Sequence, residues 1–401
     1  MFSRNLIPDS FRIKTRINES DILRFFFYVF TFFVVFTPVD VYGMKKITLI
    51  VLLLFAIRYI ELFPSSQFHR IISVFGFWVT GITIIVSSLL TKDVSNNVTQ
   101  GYMGLILLLF YLIENKKIDY SIVFRRVLFI LAVFTIIMAI LDITGISPMQ
   151  SNGILNWMSE NEIAYVGKHS GLVTGYMIFI KTSPLLVIAI PSFYNDKHYF
   201  SVIICILALL ISGTRANIIV GLLSLIIAIV FKGEKSLFEK VLLVVSITGV
   251  IAVMINGIVV NNLESMFELK ASDDAVRNGT LHSILDGFRE DPLSLLIGSG
   301  YSSSFYNAGV NAYSTIVELS YWNLLRQVGL FLFLPMLFTF IYPVIKLVKY
   351  KNYIPNALAY LGYLIIAYTN PLLYSTTGLI GLLYMFNLVY KCCYSKLELI
   401  E

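Results

Sequence analysis

Apolar residues in this chain fall in long runs, not in the alternating or three-and-four spacing of surface elements. The runs approach the ~20 residues a helix needs to cross a bilayer. They lie at 22–41, 47–62, 71–90, 98–113, 123–143 and 172–191, then at 198–212, 216–231, 241–260, 328–346, 355–374 and 377–390. This pattern predicts an all-α polytopic protein of about twelve transmembrane helices with short connections. One stretch interrupts it. From Asn261 to Arg326, closing at about residue 327, acidic, basic, glycine and aromatic positions mix as in a folded loop. Within that loop, Ser272 to Phe288 opens on capping residues and sets Leu281, Ile284, Leu285 and Phe288 on one helical face, which Arg277 continues. A cation on the apolar side of a helix requires a specific partner or ligand. Gly298-Ser-Gly-Tyr301 then predicts a turn, and Ser314 to Gly329 leads into the tenth run.

A few polar residues stand inside or beside the runs. Lys181 lies about a turn and a half into the sixth run, ahead of Ser183 and Pro184, and either lines a polar cavity or pairs with a structural carboxylate. Arg215 follows a tight Gly213-Thr214 turn at the start of a helix. It either snorkels into headgroups or, with the helix N-terminus, faces an anion such as phosphate. Arg58 and Glu61 read as a snorkelled pair. Between Thr144 and Ser170 a connection carries Trp157, Glu160, Glu162, Lys168 and His169, residues suited to gating or lining a cavity. In the turn from Tyr368 to Gly378, Pro371 breaks a helix. Asn370 and Ser375 there either bind sugar hydroxyls or satisfy backbone groups that the proline frees.

Composition agrees with the runs. With 57% hydrophobic and 13% charged residues and a mean hydropathy of +0.81, the chain has about half the charge a soluble domain carries. Arg4, Arg12, Lys14, Arg16 and Arg24 crowd the N-terminal arm, and further cations crowd alternate connections. That bias predicts cytoplasmic termini and a periplasmic loop 261–327, with Lys168, Arg215, Arg277 and Arg326 as individually placed outer cations. The net charge of +6 is then mostly inner-surface anchoring to anionic lipid, so nucleic acid is not an expected partner. Cys205, Cys392 and Cys393 make no zinc or disulfide framework. The polar first residues hold no apolar signal core, so the first run is expected to stay as an anchor. No internal repeat or inverted half, as in many transporters, is visible.

Four places together resemble the bacterial O-antigen polymerase and ligase family: His169-Ser-Gly-Leu-Val173, Ile211-Ser-Gly-Thr-Arg-Ala216, Arg277 to Gly300, and Glu318 to Gly329. The Thr369 to Gly378 turn adds a fifth, so the likeness covers about 165 to 380. It implies a GT-C-like helical fold in the bacterial inner membrane and an undecaprenyl-diphosphate-linked oligosaccharide as substrate. A flippase and a chain-length regulator would be neighbours in the same route to O-antigen or capsular polysaccharide. No metal or cofactor is implied. Ligases of the family share a His-Asn motif in the large loop, and the stretch Ala308 to Glu318 has no histidine, which favours polymerase over ligase. On this likeness Arg215 and Arg277, with Lys181 and Arg326, are candidate diphosphate ligands. Glu318 is the candidate base, better so if partly buried, and His169 is the second. Tyr301, Tyr321, Trp322 and Asn370 are candidate glycan contacts. Structural pairing of the arginines with Asp273, Asp274 or Glu318 is the plain alternative. A ligase, a lipid-linked oligosaccharide flippase and a non-catalytic scaffold are the alternative functions.

Overall fold

The computed structural model describes residues 18–40, 42–145, 153–168, 176–231 and 274–393, with positions 241 and 245. His169 and its motif, the basic residues before 18, nearly all of the ninth run and the first part of the large loop lie outside the described residues.

The chain is mostly helical. The first five helices are α1 (Glu19–Phe36), α2 (Met44–Ala56), α3 (Gln67–Thr91), α4 (Val94–Asn115) and α5 (Tyr120–Ile143). A short α6 (Ile154–Glu160) leads to an antiparallel pair, β1 (Ala164–Lys168) and β2 (Tyr176–Ile180). After these come α7 (Leu185–Asn195), α8 (Tyr199–Ile211) and α9 (Arg215–Phe231). The large loop supplies α10 (274–290), α11 (Pro292–Ile297) and a second hairpin, β3 (Phe305–Asn307) with β4 (Ala312–Ser314). The last described helices are α12 (Ser320–Leu347), α13 (Ile354–Ile366) and α14 (Thr376–Cys393).

Four of these helices, α3, α4, α5 and α12, are long and apolar enough to cross a membrane; α7, α8 and α9 are apolar but shorter. Large apolar side chains stand exposed along single faces, as with Phe331, Leu334, Phe338 and Ile345 on α12. A water-soluble monomer does not tolerate such stripes on several helices. The architecture fits an all-α membrane protein.

At the centre, Leu185 to Tyr194 of α7 and Thr376 to Val389 of α14 are buried without interruption. They are apolar on every side because protein surrounds them, which periodicity alone cannot tell from lipid contact. Charges gather where α1 begins and α4 and α14 end. There Glu19 takes both Arg58 (2.6 Å) and Lys116 (2.8 Å), Arg125 pairs with Asp196, and Lys391 meets Asp119 at 2.6 Å. Arg58 therefore pairs across the bundle and not with Glu61 as its spacing suggested.

The sixth apolar run is not one helix. Its first part, Tyr-Met-Ile-Phe-Ile, is β-branched and aromatic and pairs with β1 from Ala164↔Ile180 to Lys168↔Tyr176; only from Leu185 does a helix follow. Lys181 consequently sits in a turn beyond the strand and not within a helix. Its Nζ lies 3.5 Å from Glu162 and over the Tyr165 ring.

The large loop is tied to the membrane helix that follows it. Helix α12 is broken at Gly329 (φ 70°, ψ 169°), and a side chain at either Gly329 or Gly298 would collide with the other strand of chain. A break strands carbonyls in the preceding turn. Here Arg326 O accepts from Ser299 N–H (2.8 Å) and Gln327 O from Gly300 N–H (2.9 Å). Irregular buried backbone is stable where protein groups satisfy it in this way. The loop is also pinned to the α3–α4 corner: Tyr301 N–H donates to Ser87 Oγ (3.2 Å), and Ser302 N–H to Asn97 Oδ1 (3.0 Å).

Candidate active site

Helix α10 lies on the loop with the face its sequence pattern predicted: Ile284 and Phe288 are buried against Val317 and Leu319, with Leu281, Leu285 and Trp322 packed around them. Polar contacts fix its position along the hairpin. Thr280 Oγ1 donates to Asn307 Oδ1 (2.8 Å), Ala308 N–H donates to Ser283 Oγ (2.9 Å), and Gly279 backs directly onto Gly309. Arg277, about one turn before Thr280, and Glu318, next to the buried Val317, are thereby brought to the wall of one cavity of about 350 Å³. Thr280, Asn307 and Pro371 line it too.

The arginine has the partner that its position on an apolar face demanded, but a loose one. Nε stands 3.6 Å from Glu318 Oε2, and Nη1 stands 3.7 Å from Asp274 Oδ1. Both separations exceed a hydrogen bond. Nε is shut off from solvent and has no acceptor. The guanidinium is thus flanked by two carboxylates at ion-pair range without a hydrogen bond to either. Glu318 is 65% exposed, so the partial burial expected of it is absent and its carboxylate is open to the cavity.

The remaining candidates separate into distinct places. Arg326, 5% exposed, bonds Ser303 O, Ser303 Oγ, Thr315 O and Asn323 Oδ1 and lies over the Phe305 ring, so its guanidinium is occupied in closing the loop onto α12. Tyr301 is buried, stacked on Tyr374, and borders a neighbouring cavity of about 70 Å³ that shares Ile316, Val317 and Pro371 with the larger one. Tyr321 donates to Leu364 O (2.8 Å), and Trp322 packs under α10. The Asn370 side chain donates to Ile366 O (3.0 Å) at the end of α13, and its backbone O accepts from Ser320 Oγ. Lys181 is engaged with Glu162. Arg215 is exposed at the start of α9 and has no ion pair among the described residues; Thr214 Oγ1 and Asn217 Nδ2 beside it are buried without partners. Val220 of α9 abuts Gly362 of α13.

Sequence reasoning missed Thr280, Asn307 and the hairpin. The hairpin's signal was available: Tyr306 and Tyr313 flank Asn307-Ala-Gly-Val-Asn311, a turn whose Asn311 takes a positive φ of 53°. It also passed over Lys45, which is buried with Nζ on Pro38 O (2.7 Å). Among the described residues no group of three or more His, Cys, Asp or Glu converges as metal ligands would. No protein-family model, curated protein or solved structure matches the chain.

Proposed function

We propose that the chain is a bacterial inner-membrane glycosyltransferase that polymerises undecaprenyl-diphosphate-linked repeat units, of the kind its motifs resemble. The observation that carries this reading is the Arg277–Glu318 pair on the wall of a cavity formed by the large loop and the Pro371 turn. A sugar diphosphate already has a good leaving group. The protein's task is to bind that charge and to orient and deprotonate an acceptor hydroxyl. Arg277 holds the diphosphate, with Arg215 as a second cation from α9. Glu318 takes the proton of the acceptor hydroxyl while its oxygen bonds to the anomeric carbon. The bond from that carbon to the diphosphate oxygen breaks, and the electron pair leaves on the diphosphate beside Arg277. His169 is the second candidate for the base.

About twelve spans, cytoplasmic termini and a periplasmic loop complete the proposal. Its support is the clustering of Lys116, Arg125, Arg126 and Lys391 with Lys349 and Lys351 at the end away from the loop. Lys45, Lys46 and Lys92 lie nearer the loop end and weaken that bias without reversing it. The test is incubation of purified protein with the lipid-linked repeat: a ladder of longer lipid-linked glycans is expected, and absence of any extension overturns the reading. Deleting the gene separates the alternatives. One repeat retained on the surface core means polymerase, none on the core means ligase, and none outside the membrane means flippase.

A further inference from the structure

Between Asp291 and Glu318 the chain has no charged residue and no histidine, and is built from Ser, Gly, Asn, Tyr and aliphatic positions. The β3–β4 hairpin lies inside this stretch. Its two faces differ. Asn307 turns to the cavity and to Thr280, and Phe305 lies under Arg326, whereas Tyr306 and Tyr313, directly paired across the strands, face away and are 50% and 77% exposed. Their rings meet edge to face at 5.8 Å, and the Tyr306 hydroxyl is bound to Asn311 Oδ1, so both are held ready. The hairpin is itself fixed to α10 through Asn307 and Ala308.

We propose that Tyr306 and Tyr313 form a glycan-binding subsite that receives sugar rings of the substrate oligosaccharide lying outside the cavity. The proposal rests on the polymerase reading for its ligand. A cavity of about 350 Å³ is at the small end of ligand pockets and takes a diphosphate with its first sugar, not a repeat of several sugars. The rest of the glycan has to leave across the rim, and the hairpin is part of that rim, since Asn307, Val310 and Ser314 line the cavity. Rigid tyrosines with neutral Asn and Ser neighbours suit sugars, whose C–H faces stack on rings and whose hydroxyls both donate and accept. A surface without charge gives no hold to an acidic or basic protein.

The probe is lipid-free repeat oligosaccharide released by mild acid from the same cell's lipid-linked repeat. Tyr306→Ala/Tyr313→Ala is expected to weaken its binding to the full-length protein about tenfold or more and to raise KM with kcat nearly kept, while Tyr306→Trp/Tyr313→Trp retains binding. Arg277→Ala should lose turnover yet still bind the free oligosaccharide. Unchanged affinity in the double alanine variant overturns the subsite even if the wild type polymerises. Conversely, a wild type that never extends a glycan but loses oligosaccharide binding in that variant keeps the subsite and discards the polymerase. Quenching of the two tyrosines by brominated phospholipid in vesicles, with no effect of the oligosaccharide, would make the hairpin a membrane contact and overturn the proposal.

Discussion

Arg277 is the residue whose surroundings say most about its use. It is flanked at 3.6 and 3.7 Å by two carboxylates and hydrogen-bonded to neither, so its proposed role as a binding group is directly open to test. Arg277→Lys keeps the charge but loses the planar fork, so transfer of the lipid-linked glycan should fall sharply with little change in folded yield. Glu318→Gln should cut turnover by roughly a hundredfold if it is the base. Because Glu318 is largely exposed, the change in stability should stay within about 1 kcal/mol, measured by thermal unfolding in detergent. Near-normal turnover per folded protein would remove Glu318 and move attention to His169. Arg326 gives the opposite expectation. Its buried guanidinium bonds the carbonyls of Ser303 and Thr315 and the side chains of Ser303 and Asn323, and Arg326→Ala would strip Ser303 O and Asn323 Oδ1 of that donor while Thr315 O keeps Gln327, costing about 2 kcal/mol or more in the same unfolding measurement. Three arginines that looked alike in the sequence thus differ in environment. Only the need of Arg277 for a partner was legible, because it fell on the apolar face of a patterned helix; the burial of Arg326 depends on the hairpin folding over it, which no local spacing encodes.

Among the elements, the broken helix α12 is the most exposed to test. Gly329→Ala or Gly298→Ala meets both a positive φ and a backbone collision, and should abolish most folded protein. Gly81→Ala, on a helix with nothing within 4 Å of the added carbon, is the matched control and should be neutral or slightly stabilising. At the other end of the bundle, burial pushes the Asp119 carboxyl up, but Lys391 and the Ser121 hydroxyl outweigh it and hold the group below its ordinary range. A lowered folded-state value means that the pair stabilises above the ordinary carboxylate range and is lost as pH falls through the lowered one. Asp119→Asn should therefore cost about 1 kcal/mol near pH 7, and the difference from wild type should vanish in strong acid. Most helices were legible as apolar runs, although the first run extends to residue 41 and its helix stops at Phe36. The β1–β2 pair was not, since a short apolar run of Tyr, Met, Ile and Phe suits a strand as well as a span. Nor was the depth of α7 and α14, which look like lipid-facing helices until their neighbours surround them.

For the whole molecule, the proposed sidedness predicts that a reporter active only outside the cytoplasm works when inserted near Asn307 and fails at either terminus. The reverse result would remove every proposed catalytic residue from its substrate. The join between loop and broken helix also bears on how such a protein is made. Residues 298–300 leave the ribosome before 326–329, so the amide groups that complete the interrupted helix exist before the helix does. Had the order along the chain been reversed, this segment would have met the bilayer with two bare carbonyls, each costing several kcal/mol, while waiting for its partner to be translated.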